Sequence, residues 1–203
     1  ILLFAAVAVV IAAAWHWLGR PVAMPPPPLA PGEKLHCVSY APFRGDQSPL
    51  DPRMRIGAAQ IDEDLARLAT FTDCVRTYSV SHGLDQVAAL AGKHGLKVMQ
   101  GLWLSRARSI NEAEIETAVA LAKRYPDVIR SVVVGNEVLL RGEMTAADLV
   151  SNIRIVKSQA PGVPVTYADV WEYWLKNREV YDAVDFVTIH ILPYWEDFPI
   201  KAK

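Results

Sequence analysis

The run VVVGNEV at positions 132–138 carries three valines into an amide and a carboxylate, Asn136 and Glu137. A carboxylate closing an apolar run is costly unless it is paired or hydrogen-bonded. Partial burial also favours its neutral form, which is what a general acid beside a reacting oxygen requires. A plainer role stands beside this one, in which Glu137 caps the following turn or pairs with Arg141. Other apolar runs end in equally usable groups. In CVRTYS, Cys74, Arg76 and Tyr78 share a face by the two-residue period of a strand. Further runs finish in Ser39 and Tyr40, in Gly101 and Trp103, and in Tyr167 and Asp169 with Trp171 just beyond. The last gives Thr188 and His190, then Pro193, Tyr194 and Trp195. Acid–base groups and aromatic platforms thus gather at the ends of apolar segments. Any single tryptophan here also fits core packing, and His190 fits a satisfied core histidine. A metal finds no His/Cys cluster around His190, and no cofactor is implied.

The elements that must carry these residues alternate. Strand-like runs occupy His36–Ala41, Asp73–Val80, Leu96–Leu104, Ser131–Val138, Val163–Val170 and Val184–Ile191. Between them, Ile61, Leu65 and Leu68 repeat at helical spacing, as do Val87, Leu90 and Ala91. The same holds for Ile115, Val119 and Ala122, and for Leu149, Ile153 and Val156. Gly95 suits a left-handed helix end, Pro126 follows the third helix, and Thr145 with Asp148 marks a cap. Repeated strand–helix alternation predicts an α/β domain with parallel strands. An open doubly wound sheet would place a Gly-rich phosphate loop after its first strand, whereas YAPFRGD at 40–46 has no G-x-G-x-x-G. Chemistry at several strand ends instead predicts a (β/α)8 TIM barrel. About six βα units are readable before Lys203, so the barrel is read as incomplete.

The strand VVVGNEV resembles the acid/base strand of glycoside hydrolase family 17, the β-1,3-glucanase family within the Asn-Glu barrel clan. CVSYAPFR, CVRTYS, KVMQGLWL and VDFVTIHILPYW are similar, in order, to the family's first, second, third and sixth strands, and the likeness covers roughly residues 35–198. The resemblance implies a retaining glycosidase or transglycosylase acting on β-1,3-glucan, with Glu137 as general acid/base. It implies that Asn136 bonds the sugar 2-hydroxyl, that Arg76 keeps the nucleophile charged, and that Tyr40, His190 and Tyr194 line the sugar site. Trp103, Trp171 and Trp195 would stack on glucose rings, and Asp169 joins the substrate-binding set. The family's nucleophile is a glutamate at the end of a seventh strand, which the resemblance places beyond Lys203. Glu196 and Asp197 match a loop after the sixth strand and are not assigned that role. The rival from another class is a non-catalytic carbohydrate-binding barrel in β-glucan synthesis or export.

The N-terminal segment differs. Ile1 to Leu18 is apolar apart from His16, with Trp15 and Trp17 near its end and Arg20 beyond. This is close to the ~20 residues of a membrane-spanning helix, so residues 1–20 are expected to be a transmembrane anchor, with a cleaved signal peptide as the alternative. Residues 21–32, PVAMPPPPLAPG, read as an extended proline-rich linker, and residues 33–203 as the barrel domain. Resemblance to the family's membrane-associated bacterial members places that domain on the periplasmic or outer face of a bacterial inner membrane. A net charge of -1 with 52% hydrophobic residues suits a sizeable core and gives no basic stripe for nucleic acid. Two cysteines exclude a disulfide framework. Strand parity places Cys74 with Arg76 and turns Cys37 away from Tyr40, so a bridge between them is not expected.

Overall fold

The computed structural model describes residues 2–21, 26 and 29–196. The chain divides into two compact units, Pro31–Ile191 and a second made of residues 1–30 with 192–203. In the second unit, helix α1 runs over Leu2–Leu18, 17 residues long. At 1.5 Å per residue it reaches about 26 Å, against a hydrocarbon core of about 30 Å. Among the described residues, no helix is long and apolar enough to cross a membrane. Where a transmembrane anchor was expected, the described residues show an apolar helix that turns at Gly19, whose N–H donates to the Trp15 carbonyl. Of the linker expected over residues 21–32, residues 22–25 and 27–28 lie outside the described residues.

The unit Pro31–Ile191 contains six parallel strands: β1 (Val38–Ser39), β2 (Cys74–Arg76), β3 (Lys97–Leu102), β4 (Ile129–Asn136), β5 (Val165–Val170) and β6 (Thr188–His190). They are hydrogen-bonded in the order β1-β2-β3-β4-β5-β6. A doubly wound sheet reverses direction at a switch point. Here each strand joins the one before it and the order never reverses, the winding of an incomplete TIM barrel. The crossovers are α2 (Ala58–Leu68), α3 (Val87–Lys93), α4 (Arg108–Arg124), α5 (Ala146–Gln159) and the short pair α6 (Trp171–Lys176) and α7 (Arg178–Tyr181). A 3-10 turn, Leu84–Gln86, leads into α3.

Helical spacing names the packed faces correctly. Ile61 and Leu65 of α2, Val87, Leu90 and Ala91 of α3, Ile115, Val119 and Ala122 of α4, and Leu149, Ile153 and Val156 of α5 are all buried in one core. The α5 start is capped as the sequence suggests, with the Asp148 N–H donating to Thr145 Oγ1 at 3.1 Å. Gly95 has φ of 72°, a left-handed backbone that costs glycine little. The α6–α7 pair carries no apolar repeat long enough to read as a helix, and it went unforeseen.

The cysteines overturn one expectation. Cys37 and Cys74 form a disulfide with Cα atoms 4.3 Å apart. Val38 lies opposite Val75 and Ser39 opposite Arg76, which carries the same register back to Cys37 and Cys74. Side chains opposite one another on paired strands point to the same side of the sheet. Strand parity misplaces Cys37 only if Tyr40 is taken to face the barrel interior. That residue is buried, and its hydroxyl donates to Asp64 of α2, so it faces the helices rather than the interior of the barrel.

Candidate active site

The site begins with a break in a strand. β4 pairs in step with β3 from Ser131 to Val134, and its pairing with β5 shifts register between Val133 and Asn136. Gly135 has φ of 89° and Glu137 has φ of 55°. A side chain at Gly135 would be strained by that φ and would crowd Val138 and Tyr167. Glu137 occupies the left-handed region without glycine's freedom, a conformation that surrounding contacts must hold in place. Adjacent residues of a regular strand point to opposite faces. With the backbone turned at 135 and 137, Asn136 and Glu137 reach the same cluster. Irregularities of this kind commonly re-aim side chains next to active sites.

Four side chains from three strand ends form one chain of hydrogen bonds. Arg76, last in β2, donates from Nη2 to Asn136 Oδ1 at 2.7 Å. Its Nη1 lies 3.2 Å from His190 Nε2. His190, last in β6, places Nδ1 2.6 Å from Glu137 Oε1. An arginine can only donate. His190 Nε2 must therefore accept, and the ring proton sits on Nδ1, where it is given to Glu137. The arrangement fixes a neutral imidazole in one tautomer between a guanidinium and a carboxyl group. Burial lowers the Arg76 pKa from its usual value, while Tyr78 and Glu137 oppose that shift. The guanidinium also lies over the Tyr78 ring, 4.8 Å from its centroid.

Arg141 does not pair with Glu137. Its guanidinium donates to the carbonyls of Asn136 and Leu104 and to Glu143 Oε2. It also lies 4.4 Å from the centre of the Trp103 ring. Trp103 is 41% exposed, so it is partly open to solvent while Arg141 packs on its ring. Trp171 opens α6 directly after β5 and is likewise partly exposed. Tyr194 and Trp195 lie in the other unit, where their rings meet edge to face at 5.4 Å. Tyr40, expected at the sugar site, is engaged with Asp64 instead. Asp169, expected to touch substrate, is 0% exposed and accepts from the Tyr167 hydroxyl and the Val170 N–H. Burial raises its pKa against those hydrogen bonds, and nearby Glu137 adds to the rise.

Sequence reasoning missed Glu114. This α4 carboxylate is 2% exposed and accepts from Ser79 Oγ, Val80 N–H, Ser81 N–H and Oγ, and Trp103 N–H. It ties the loops after β2 and β3 together. The available signal was its place three residues after Asn111 and four before Ala118, on the helix stripe that faces the core. A cavity of about 720 Å³ between α4 and α5, lined by Asn111, Glu112, Ile115, Glu143 and Asn152 among others, lies apart from the Arg76–His190–Glu137 chain.

The model of the BtgE/BtgC glycoside hydrolase domain matches residues 37–203. A glucan 1,3-beta-glucosidase from Arthroderma benhamiae is 25% identical over 151 residues, covering 70% of this chain and 48% of that protein. One from Schizosaccharomyces pombe is 28% identical over 144 residues, covering 66% and 45%. The crystal structure of a glycoside hydrolase family 17 beta-1,3-glucanosyltransferase from Rhizomucor miehei superposes with a TM-score of 0.67 at 24% identity, over 79% of this chain and 58% of that one. The chain thus spans about half the length of the curated relatives it matches. With the family model covering most of the sequence, the chain belongs to the BtgE/BtgC glycoside hydrolase domain family.

Proposed function

We propose that this domain is the acid/base half of a retaining enzyme that cleaves β-1,3-linked glucan and passes the sugar to water or to a second glucan. The observation that carries the reading is the 2.6 Å contact from His190 Nδ1 to Glu137 Oε1, backed by Arg76 and Asn136. With one oxygen held by the imidazole N–H, the other is left to carry a transferable proton. Protonated Glu137 gives that proton to the glycosidic oxygen as the C1–O bond breaks. A second carboxylate attacks C1 from the opposite face, and Glu137, now ionised, deprotonates the incoming hydroxyl. That second carboxylate must lie about 5–5.5 Å from the first, and we assign it to a strand after β6, as the family resemblance implies. Asn136 then addresses the 2-hydroxyl, and Trp103 and Trp171 offer stacking faces. Transfer to glucan is supported by the likeness to the beta-1,3-glucanosyltransferase of Rhizomucor miehei, an active-site mutant of which has been seen with laminaritriose, and hydrolysis by the likeness to the glucosidases. The Cys37–Cys74 bridge supports an extracytoplasmic, oxidising location such as the periplasmic or outer face of a bacterial inner membrane.

The test is Glu137→Gln in the complete protein. Turnover of laminari-oligosaccharides should fall by roughly 100-fold to 10,000-fold, the usual contribution of a general acid. Aryl β-glucosides with acidic phenol leaving groups should form the glycosyl-enzyme nearly as fast as before, because little protonation is needed. Equal loss on both substrates would make Glu137 a binding or structural residue. Unchanged glucan binding without turnover in the unmutated protein would favour a carbohydrate-binding barrel.

A further inference from the structure

We infer that Tyr167 and Asp169 of β5 act together as a positioning clamp that holds Glu137 in its left-handed backbone conformation, and that Asp169 is not a sugar ligand. This inference rests on the acid/base reading of Glu137.

The backbone around Glu137 is gripped from one side. The Glu137 N–H donates to the Ala168 carbonyl at 2.8 Å. The Leu139 N–H donates to the Tyr167 hydroxyl oxygen at 3.1 Å. The Leu140 N–H donates to Asp169 Oδ2 at 3.4 Å. Three of the four amides from 137 to 140 therefore end on consecutive residues of β5, two of them on side chains. Those two side chains are joined to each other, since the Tyr167 hydroxyl donates to Asp169 Oδ2. The other Asp169 oxygen accepts the Val170 N–H at 2.8 Å. Tyr167 is 1% exposed and Asp169 0%, and the Tyr167 ring is braced by Trp174 at 5.7 Å. Neither polar group has a free face for substrate.

The grip answers a local need. A glutamate at φ of 55° lies outside its preferred backbone regions, and such a conformation persists where its surroundings over-determine it. The first intact helical bond of the turn, Arg141 N–H to the Glu137 carbonyl at 2.8 Å, holds the far side. Remove the hydroxyl of Tyr167 and the Leu139 amide and the Asp169 carboxylate both lose a partner inside the protein. The turn is then free to relax toward an ordinary backbone, and the Glu137 carboxyl swings away from His190. Asp169 also stands close enough for its charge and that of Glu137 to interact, which a relaxation of the turn would alter.

Tyr167→Phe in the complete protein tests this, because it keeps the ring and its packing on Trp174. On laminari-oligosaccharides kcat should fall roughly tenfold to a hundredfold, the scale of a misplacement of about 1 Å, with KM within about threefold of the original. Asp169→Asn should do the same, while Asp169→Glu should not restore activity, because the longer side chain overfills a site with no space. The loss should vanish in a Glu137→Gln background, since the clamp acts through Glu137, and a crystal structure of Tyr167→Phe should show Glu137 with negative φ. A rise in KM with unchanged kcat would make Asp169 a substrate contact and overturn the clamp. An equal loss in both backgrounds, or an unmoved Glu137 backbone, would overturn it as well. If Glu137→Gln alone costs nothing on unactivated substrates, the acid/base reading fails first, and that outcome is distinct from all of these.

Discussion

His190 shows how a single side chain can set the state of another. Its Nε2 faces a guanidinium that only donates and its Nδ1 faces a carboxyl group, so one tautomer satisfies both. Replacing it with alanine leaves a buried Arg76 N–H without an acceptor and Glu137 without its donor. A hydrogen bond to a charged group contributes about 1.5–3 kcal/mol, so His190→Ala should lower kcat on laminari-oligosaccharides by roughly tenfold to a hundredfold, with KM nearly unchanged. Steady-state kinetics decide it: a change confined to KM would make His190 a sugar contact instead. Arg76, Asn136, Glu137 and His190 were legible in the sequence because each interrupts or ends an apolar run where a polar group must have a reason to be. Asp169 stood out for the same reason, but its burial against Tyr167 did not. Nothing in YADV distinguishes a carboxylate that meets solvent from one that turns back onto the neighbouring loop.

Among the elements, α4 does more than cover the sheet. Glu114 projects from its core-facing stripe and receives donors from the loops after β2 and β3. These loops lead away from Arg76 and toward Trp103, so one helix sets the height of both. Glu114→Ala would strand several buried donors, each costing about 1–3 kcal/mol. Urea unfolding should therefore show a loss of about 3 kcal/mol or more, whereas a loss under about 0.5 kcal/mol, the range of ordinary surface changes, would show that the donors find other partners. The helices themselves were readable because four apolar stripes repeat at 3.6-residue spacing. The α6–α7 pair was not, since Trp171–Lys176 and Arg178–Tyr181 are each too short to display a period. The strands are shorter than expected, and β1 shrinks to Val38–Ser39 because the chain leaves for the loop that meets α2 once the Tyr40 N–H has met the Arg76 carbonyl.

For the whole molecule, the winding followed from strand–helix alternation together with the polar groups at several strand ends, while the disulfide did not. Its prediction failed on a single misassigned face, that of Tyr40, which shows that parity carries over between strands only when the register is known. The bridge closes a separation of 37 residues, and loop entropy gives such a crosslink about 3–4 kcal/mol of stabilisation. Thermal unfolding with and without dithiothreitol, and of the Cys37→Ser/Cys74→Ser protein, should show that loss. An unchanged transition on reduction would mean that the bridge adds nothing to the folded state. The strand order has a consequence of its own. Each strand from β2 to β6 pairs with the one synthesised just before it, so each of these, on leaving a ribosome or a translocation pore, finds a partner already made. The first covalent lock, Cys37 to Cys74, becomes possible once the second strand is through. A chain delivered N-terminus first can then zip up in the order in which it arrives.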